Sequence, residues 1–379
     1  MKPGDALAAL DAQVLQRSAR RVSLADDALP AVLDSARLVR ENEALLRLFW
    51  DCRCALVERE RQFAAPPEPT MMKAQGGMFQ VLLALAGVPA LLERHAALKV
   101  SREITDATLA DLPLWMRHYR EKHGRWGLAH IHWLRNHILG DLFRIGRLQY
   151  MSRQWNTGVL VYRHAHNNEV CAFVAPGAAY RADGYPDGVN GVRDAQPWQS
   201  LLNVEAETVT GNPITPDGRA VRVPVTLPLR DWRVVLRDGD DVLDVHIPAE
   251  QPLEPEACRQ SFANGLTFFG MLFPEKKYRA FMCCSWLLDG QLAALLPPEA
   301  NIVQFQRMFR LHPSNHGEHQ TYERVFAMEP AATETLPATT RLQQACLRHI
   351  KAGGRFYEGG GFILVEDVTS GECGMRSAE

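Results

Sequence analysis

The amino-acid sequence predicts an α+β protein in which an all-helical N-terminal domain is followed by a mixed-sheet domain. Only 7 of the 23 prolines and 8 of the 27 glycines lie in residues 1–150, so turn-forming residues are concentrated in the second part of the chain. Apolar residues recur at helical spacing before Tyr150, and short runs rich in β-branched residues follow it. These observations predict one domain over residues 1–144 and a second over residues 145–379.

The first domain shows the apolar spacing of packed helices. Apolar residues recur every three or four positions in one segment, at Val32, Leu33, Leu38, Leu45, Leu46, Phe49 and Trp50. Thr105 and Asp106 are predicted to cap a helix that ends at Gly124, and another helix is predicted over residues 128–143. Residues 78–92 are predicted to form a core helix broken at Gly87 and Pro89, since proline lacks the N–H that a helix needs. The domain is predicted to hold five to seven helices.

The second domain alternates strands with helices. Residues 159–162, 170–174 and 221–229 predict strands, and residues 232–236 and 242–247 flank the turn sequence DGDD, which predicts a β-hairpin. The remaining predicted elements are a helix at 255–273, a strand at 278–288, a helix at about 291–309, a helix at 342–350 and a last strand at 362–365.

Composition excludes several classes of protein. The 379 residues are 46% hydrophobic and 23% charged, as in ordinary globular domains, and the formal net charge is −2. We therefore expect no nucleic-acid partner, because the positive field that phosphate binding needs is missing. The 8 cysteines are too sparse for a disulfide framework. No secretory signal and no apolar run of ~20 residues is visible, so we expect a cytoplasmic protein without a membrane span.

A set of short sequences carries a resemblance to a known family. They are DLPLW (111–115), GDLFRIGRLQY (140–150), HIP (246–248), CSWLL (284–288), NIVQF (301–305) and LP (336–337) followed by RLQ (341–343). Together they resemble bacterial two-domain proteins with a helical N-acyltransferase N-terminal domain and a GNAT-like C-terminal domain. The resemblance covers about residues 40–365 and implies that the predicted mixed sheet is GNAT-like.

The resemblance implies transfer of an acyl group from a thioester, either acyl-CoA or a carrier-protein thioester, directly to the amine of a small molecule. Such a transfer needs a seat for the pantetheine arm, a base for the amine and donors for the thioester oxygen. In a GNAT-like fold the seat opens between the strand that ends here at His246 and the strand over residues 278–288. Acyl-CoA is then a co-substrate, and no metal is expected.

Five residues are the candidates for catalysis. His246 is the first, as a general base, because an imidazole titrates near neutral pH; a histidine that only bonds a backbone carbonyl is the alternative. Cys284 and Ser285 are candidate donors to the oxyanion or thiolate, and only one of them faces a given side of a strand. For Cys284, a small buried apolar residue is the favoured alternative. Tyr278 and Glu250 are lesser candidates, as an acid and a base respectively.

The segment expected to bind CoA departs from the wider superfamily. Ile247, Pro248 and Arg259 are the predicted CoA-binding residues. The segment PAEQPLEPE (248–256), however, has three glutamates, three prolines and no glycine, whereas a pyrophosphate cradle needs free N–H groups and positive charge. Either the donor is held differently or the site has been repurposed.

Two other functions remain open at this point. The unusual 248–256 segment is compatible with a catalytically silent GNAT-like protein that binds a ligand or a partner. His312, His316 and His319 have the spacing H-x3-H-x2-H, which would suit a metal-dependent hydrolase or lyase if the segment were helical. Pro313, within the same segment, instead favours a polar loop.

Overall fold

A computed structural model describes residues 3–330 and 333–370. The chain divides into two compact units. The N-terminal unit comprises Met1–Met151 and Ile247–Gln251, and the C-terminal unit comprises Ser152–His246 and Pro252–Glu379. The helical start and the mixed-sheet continuation confirm the predicted fold class.

The N-terminal unit is built from helices followed by a β-hairpin. Among its described residues the α-helices are α1 (Pro3–Ala9), α2 (Ala12–Arg21), α3 (Leu29–Glu41), α4 (Glu43–Val57), α5 (Met78–Ala97), α6 (Arg102–Leu109), α7 (Asp111–His123) and α8 (Ile131–Ile138). The hairpin consists of antiparallel β1 (Leu142–Ile145) and β2 (Leu148–Gln154), of which residues 152–154 are assigned to the C-terminal unit. The described part of this unit therefore holds eight α-helices, more than the five to seven predicted.

Two predicted helix boundaries in this unit are wrong. The helix predicted over 128–143 ends at Ile138, because Gly140 takes a positive φ of 66° and turns the chain into β1. The predicted cap at Thr105 and Asp106 lies inside α6, which is capped instead by Ser101, whose hydroxyl accepts a hydrogen bond from the Ile104 N–H. The predicted end at Gly124 is confirmed, since this glycine adopts the left-handed conformation that closes α7.

Helix α5 is the centre of the N-terminal core. It is continuous through Pro89, so the predicted break is wrong, and most of its side chains are buried. Gly87 brings α8 close: a Cβ at this position would lie 2.7 Å from Cδ1 of Ile138. Burial on most sides explains why this helix is apolar around its circumference rather than along one stripe.

A buried carboxylate ties three segments of the N-terminal unit together. Asp111 accepts hydrogen bonds from Nε1 of Trp115 at 3.2 Å, Nε1 of Trp133 at 3.0 Å and Nε2 of Gln149 at 3.0 Å, and His137 Nε2 lies 3.1 Å from its Oδ2. Burial favours the neutral acid, but His137 and the hydrogen-bond donors outweigh it and hold the pKa of Asp111 below its ordinary value of 3.8.

We expect Asp111→Asn to lower the free energy of unfolding by about 2 kcal/mol at pH 7, because donors that now reach a carboxylate would meet a neutral amide. A lowered folded-state pKa stabilises the fold above the unfolded pKa, and this stabilisation is lost as pH falls through the folded value. The difference between wild type and variant should therefore shrink below about pH 3.8. Denaturant unfolding checks this. Asp34→Asn, in an exposed ion pair, is the control, and an equal loss there would contradict the assignment.

The C-terminal unit contains a main sheet and three smaller ones. Within this unit the neighbouring strands of the main sheet are, in order, β11 (Asp241–His246), β12 (Ala280–Ser285), β14 (Gly359–Leu364) and β13 (Arg310–His312). β11 and β12 run parallel, whereas β12 and β14, and β14 and β13, run antiparallel. The smaller sheets use β3 (Leu160–His164), β4 (Val170–Phe173), β5 (Ala179–Tyr180), β6 (Trp198–Gln199), β7 (Leu202–Val204), β8 (Thr208–Gly211), β9 (Val225–Pro228) and β10 (Trp232–Leu236). Their orders are β10-β3-β4, β5-β6 and β7-β8-β9.

The helices of this unit are α9 (Pro255–Leu272), α10 (Leu292–Leu295), α11 (Asn301–Gln306), α12 (His319–Thr321), α13 (Arg341–Lys351) and α14 (Val365–Thr369). Helices α9 and α13 confirm two predictions, and Pro255 stands in the first turn of α9 as expected. The helix predicted over about 291–309 is instead split into α10 and α11, with Pro297 and Pro298 between them. The strand predicted over 278–288 is shorter and ends in a 3₁₀ turn that begins at Trp286.

The predicted hairpin of residues 232–247 is wrong. β10 pairs with β3, whereas β11 pairs with β12, so the two segments lie in different sheets. Their burial explains the difference: every residue of β11 is buried or half-buried, as in a strand inside a main sheet, whereas Arg233 and Val234 in the middle of β10 are exposed. Among the described residues, we find no helix with both the length and the apolar character needed to span a membrane.

Candidate functional site

The strands β11 and β12 run side by side for only part of their length. Their parallel register extends from the pair Val242 and Ala280 to the pair Asp244 and Met282. Beyond that pair, β11 continues to residue 246 and β12 to residue 285, while β12 stays paired with β14 on its other side. The backbone pairing of the two parallel strands therefore stops before their carboxyl ends, and we call this unpaired stretch the opening. The family resemblance implied a seat for the pantetheine arm at this position, between His246 and the 278–288 strand.

His246 stands at the end of β11 beside a carboxylate. Its Nε2 lies 3.3 Å from Oδ2 of Asp244, two residues earlier on the same face of the strand. Both side chains are partly exposed, at 27% for His246 and 19% for Asp244. A carboxylate against an imidazole fixes the ring and stabilises the imidazolium formed when the ring takes up a proton. This pair has the composition of a general base with its orienting group.

Cys284 and Ser285 lie at the end of β12 and point to opposite faces. Cys283 and Ser285 are buried, whereas Cys284 is exposed, so the interpretation of Cys284 as a small buried residue is wrong and applies to Cys283 instead. The Ser285 hydroxyl accepts a hydrogen bond from the Leu287 N–H at 3.2 Å and so caps the 3₁₀ turn. This contact gives Ser285 a structural role, while Cys284 lies on the exposed side.

The Cys284 thiol is held in its neutral form. Although the residue is exposed overall, protein atoms around the sulfur desolvate it. This desolvation, and after it the Glu358 carboxylate, raises the pKa of Cys284 to about 11; Asp244 adds to the effect and a hydrogen bond with Ser314 opposes it. Because the thiolate is the reactive form, Cys284 is poorly prepared to act as a covalent nucleophile.

Tyr278 lies away from this opening. It precedes β12, at the opposite end of the strand from Cys284, and six residues of extended chain span about 20 Å. Its hydroxyl donates to Ser152 Oγ at 3.0 Å, and burial raises its pKa although this hydrogen bond partly offsets the effect. The structure therefore does not bring Tyr278 to His246, and its contacts are those of a packing residue.

Glu250 is paired with two arginines within the N-terminal unit. Arg117 Nη2 lies 2.5 Å from Oε1 and Arg144 Nη1 lies 3.1 Å from Oε2. Arg147 Nη2 also donates to the Gln251 carbonyl at 2.5 Å. We interpret Glu250 as an anchor of the 247–251 segment rather than a base, because two guanidinium groups engage both of its oxygens. Ile247 and Pro248 belong to the same segment, and their role in CoA binding stays a prediction.

The start of α9 carries acidic residues that already have partners. Glu254 occupies the N-cap position, and its Oε1 accepts a hydrogen bond from Nδ2 of Asn301 at 3.0 Å. Arg259, the predicted CoA-binding cation, lies 2.9 Å from Glu256 on the exposed face of the helix. These contacts explain how the carboxylates of this segment are tolerated, and they do not form a pyrophosphate cradle of the usual kind.

The three histidines of the alternative metal site do not converge. His312 is buried against Trp155, its Nδ1 contacts the Pro313 carbonyl at 3.0 Å, and burial lowers its pKa to about 4. His319 Nε2 lies 2.7 Å from Glu329 on the surface. The alternative ligand set of His312, His316 and His319 is therefore not formed, because each ring has a different neighbourhood.

His316 instead approaches Cys284 and Glu358. Its Nδ1 lies 3.9 Å from Cys284 Sγ and 3.5 Å from Glu358 Oε2. Sequence reasoning missed Glu358 and Asp244. Asp244 carried a local signal, since it lies two positions before His246 in a strand, but nothing local connects Glu358 with the other two residues.

A cleft of about 570 Å³ lies elsewhere in the C-terminal unit. Residues 214–217, 306–307 and 309–311 contribute much of its lining, which includes neither His246 nor Cys284. We therefore place the candidate acyl-transfer site at the strand opening and not in this cleft.

A helical N-terminal domain followed by a mixed sheet whose parallel strands part beside a histidine defines the class, a GNAT-like N-acyltransferase. The family models agree with this fold. The model described as an N-acyltransferase N-terminal domain matches residues 14–140, and the model described as a GNAT-like C-terminal domain matches residues 142–363. The chain belongs to this two-domain N-acyltransferase family.

Solved structures share the fold at low sequence identity. The chain is similar to an acyltransferase in complex with CoA and 10C-teicoplanin (22% identity, TM-score 0.63, covering 92% of this chain and 87% of that one). It is also similar to an acyltransferase in complex with decanoyl-CoA (23% identity, TM-score 0.61, covering 91% of this chain and 85% of that one). A third similar structure is an acyltransferase mutant in complex with octanoyl-CoA (22% identity, TM-score 0.62, covering 92% of this chain and 87% of that one). No curated protein matches the chain.

Proposed function

We propose that this protein transfers a medium-chain acyl group from acyl-CoA to the amine of a small molecule, with His246 as the general base. The observation that carries the proposal is the end of β11–β12 pairing at Asp244 and Met282, which leaves an opening beside His246. The pantetheine arm of CoA is extended and carries amides, so it suits the strand edge that this opening exposes.

The chemical step follows from the groups at the opening. The amine nitrogen attacks the thioester carbonyl carbon, His246 takes the proton released from nitrogen, and the C–S bond then breaks. Asp244 stabilises the imidazolium, which passes its proton to the departing CoA thiolate, so that an amide and free CoA are formed. No acyl-enzyme is needed, which agrees with the raised pKa of Cys284.

Structural neighbours suggest the donor and acceptor. Neighbours with the same fold have been solved with octanoyl-CoA and decanoyl-CoA, and one also with teicoplanin. By analogy we propose an acyl chain of about eight to ten carbons for this protein. The analogy also favours an acceptor amine on a polar small molecule. A carrier-protein donor remains a prediction from the sequence.

Turnover tests the proposal. We expect purified protein incubated with decanoyl-CoA and a panel of amines, including amino sugars and teicoplanin, to release free CoA thiol. An N-acyl product should appear in equal amount by mass spectrometry. Acetyl-CoA serves as the chain-length control and should give slower turnover. Binding of acyl-CoA without any product would instead support the silent GNAT-like protein, and neither binding nor product would contradict the proposed donor.

A further inference from the structure

Three potential metal ligands from separate segments meet on one side of the C-terminal unit. Cys284 ends β12, His316 lies in the loop after β13, and Glu358 immediately precedes β14. One ligand atom from each lies within 4.8 Å of the other two. Among the described residues, this is the one group of three or more such side chains that meets this criterion.

The surrounding contacts hold these side chains in place. Because β12 and β14 are antiparallel with Cys284 opposite Gly360, Glu358 emerges beside the cysteine. The Glu358 N–H donates to the His316 carbonyl at 3.3 Å, and Ser314 Oγ donates to the Glu358 carbonyl. Gln320 Nε2 donates to Glu358 Oε2 at 2.8 Å, as an outer partner of a ligating carboxylate would. The cluster is therefore preformed by backbone and side-chain contacts.

The geometry separates a metal site from a catalytic relay. In a relay, the nucleophile and the carboxylate contact opposite nitrogens of the imidazole. Here Cys284 Sγ and Glu358 Oε2 both approach Nδ1 of His316, at 3.9 and 3.5 Å. Around a tetrahedral Zn²⁺, bond lengths of about 2.3 Å to sulfur and about 2.0 Å to nitrogen and oxygen give edges of about 3.6 and about 3.3 Å. The observed separations need only a small contraction to reach these values.

We propose that Cys284, His316 and Glu358 bind a Zn²⁺ ion, with a fourth coordination position open to water. Sulfur and imidazole ligands select zinc or cobalt over magnesium or calcium, which prefer oxygen alone. The Glu358 carboxylate is buried, and among the described ion pairs its one partner within 4.0 Å is the His316 imidazole, which carries a positive charge only when it is protonated. The ion would compensate this buried charge and tie the His316 loop to β12 and β14. The site goes beyond the acyl-transfer reaction, in which none of its three ligands takes part.

Metal binding by tag-free, chelator-treated protein tests this site. We expect one equivalent of Zn²⁺ to bind. Co²⁺ should give the intense visible bands of a tetrahedral centre together with a sulfur-to-cobalt charge-transfer band. Cys284→Ser should abolish the charge-transfer band. Both Cys284→Ser and His316→Ala should weaken Zn²⁺ binding by more than about tenfold, because loss of a hydrogen-bond partner of a ligand alone already costs about that much affinity. Both residues are exposed, so these variants should fold.

His319→Ala is the matched control, because this exposed histidine in the same region pairs with Glu329 outside the cluster. It should bind Zn²⁺ as wild type does. Failure of wild type to bind one equivalent of Zn²⁺ or Co²⁺, or equal binding by wild type and the Cys284→Ser and His316→Ala variants, would overturn the proposal. These outcomes can be scored even if acyl transfer itself is not observed.

Discussion

His246→Ala is expected to lower kcat for acyl transfer by about 10²- to 10⁴-fold, the usual contribution of a general base. The reason is local: His246 stands where β11 leaves β12, and Asp244 supports its ring from 3.3 Å. Because the imidazole acts on the amine and not on the thioester's pantetheine arm, the dissociation constant for decanoyl-CoA should change little. Steady-state kinetics together with calorimetric binding of the acyl-CoA separates these two quantities.

Asp244→Asn should give a smaller loss of kcat than His246→Ala, because an amide orients the ring but does not stabilise its charge. His319→Ala removes a surface histidine and should leave the rate unchanged. If His246→Ala turned over at the wild-type rate, the base assignment would be wrong, and the opening between β11 and β12 would lose its proposed chemistry.

Arg163→Met is expected to lower the free energy of unfolding by about 3–5 kcal/mol, the range measured when one partner of a buried ion pair is removed. Arg163 on β3 is buried, pairs with Asp367 of α14 and lies 3.3 Å from Glu366. Loss of the guanidinium would leave the largely buried Asp367 carboxylate with Arg310, 4.0 Å away, as its one cationic partner among the residues that the structure describes. Thermal and denaturant unfolding of the variant measure the effect.

The chain offers a matched control one strand away. Arg233 on β10 is in register with Arg163 and pairs with Glu366 at 2.8 Å, but both partners are about half exposed. Arg233→Met should therefore cost less than about 1 kcal/mol. Equal losses for the two variants would mean that burial does not determine the strength of these ion pairs, contrary to our interpretation.

Local patterns predicted most of the helices and several strands but not the strand partners. The turn sequence between β10 and β11 is a typical hairpin signal, yet β11 pairs with β12. Parallel pairing depends on residues far apart in the chain, so no local pattern contains it. Likewise, Gly87 and Pro89 suggested a break in α5, which close packing against Ile138 overrides.

The candidate site was predicted in part. His246 followed from the family resemblance and from the position of a strand end, and Asp244 lies on the same strand face. Glu250 attracted attention as a carboxylate near His246, but Arg117 and Arg144 engage it from distant positions in the chain. Glu358 was missed for the same reason, since only the antiparallel pairing of β12 and β14 brings it near Cys284.

The central claim is direct transfer of an acyl group from CoA to an amine at the opening beside His246. A single-turnover measurement, in which excess protein is mixed with decanoyl-CoA with and without a productive amine acceptor, tests it most directly. Our account predicts no release of CoA without the acceptor, and equal amounts of CoA and amide with it. Stoichiometric release of CoA without the acceptor, accompanied by an acyl adduct on the protein by intact mass, would contradict it.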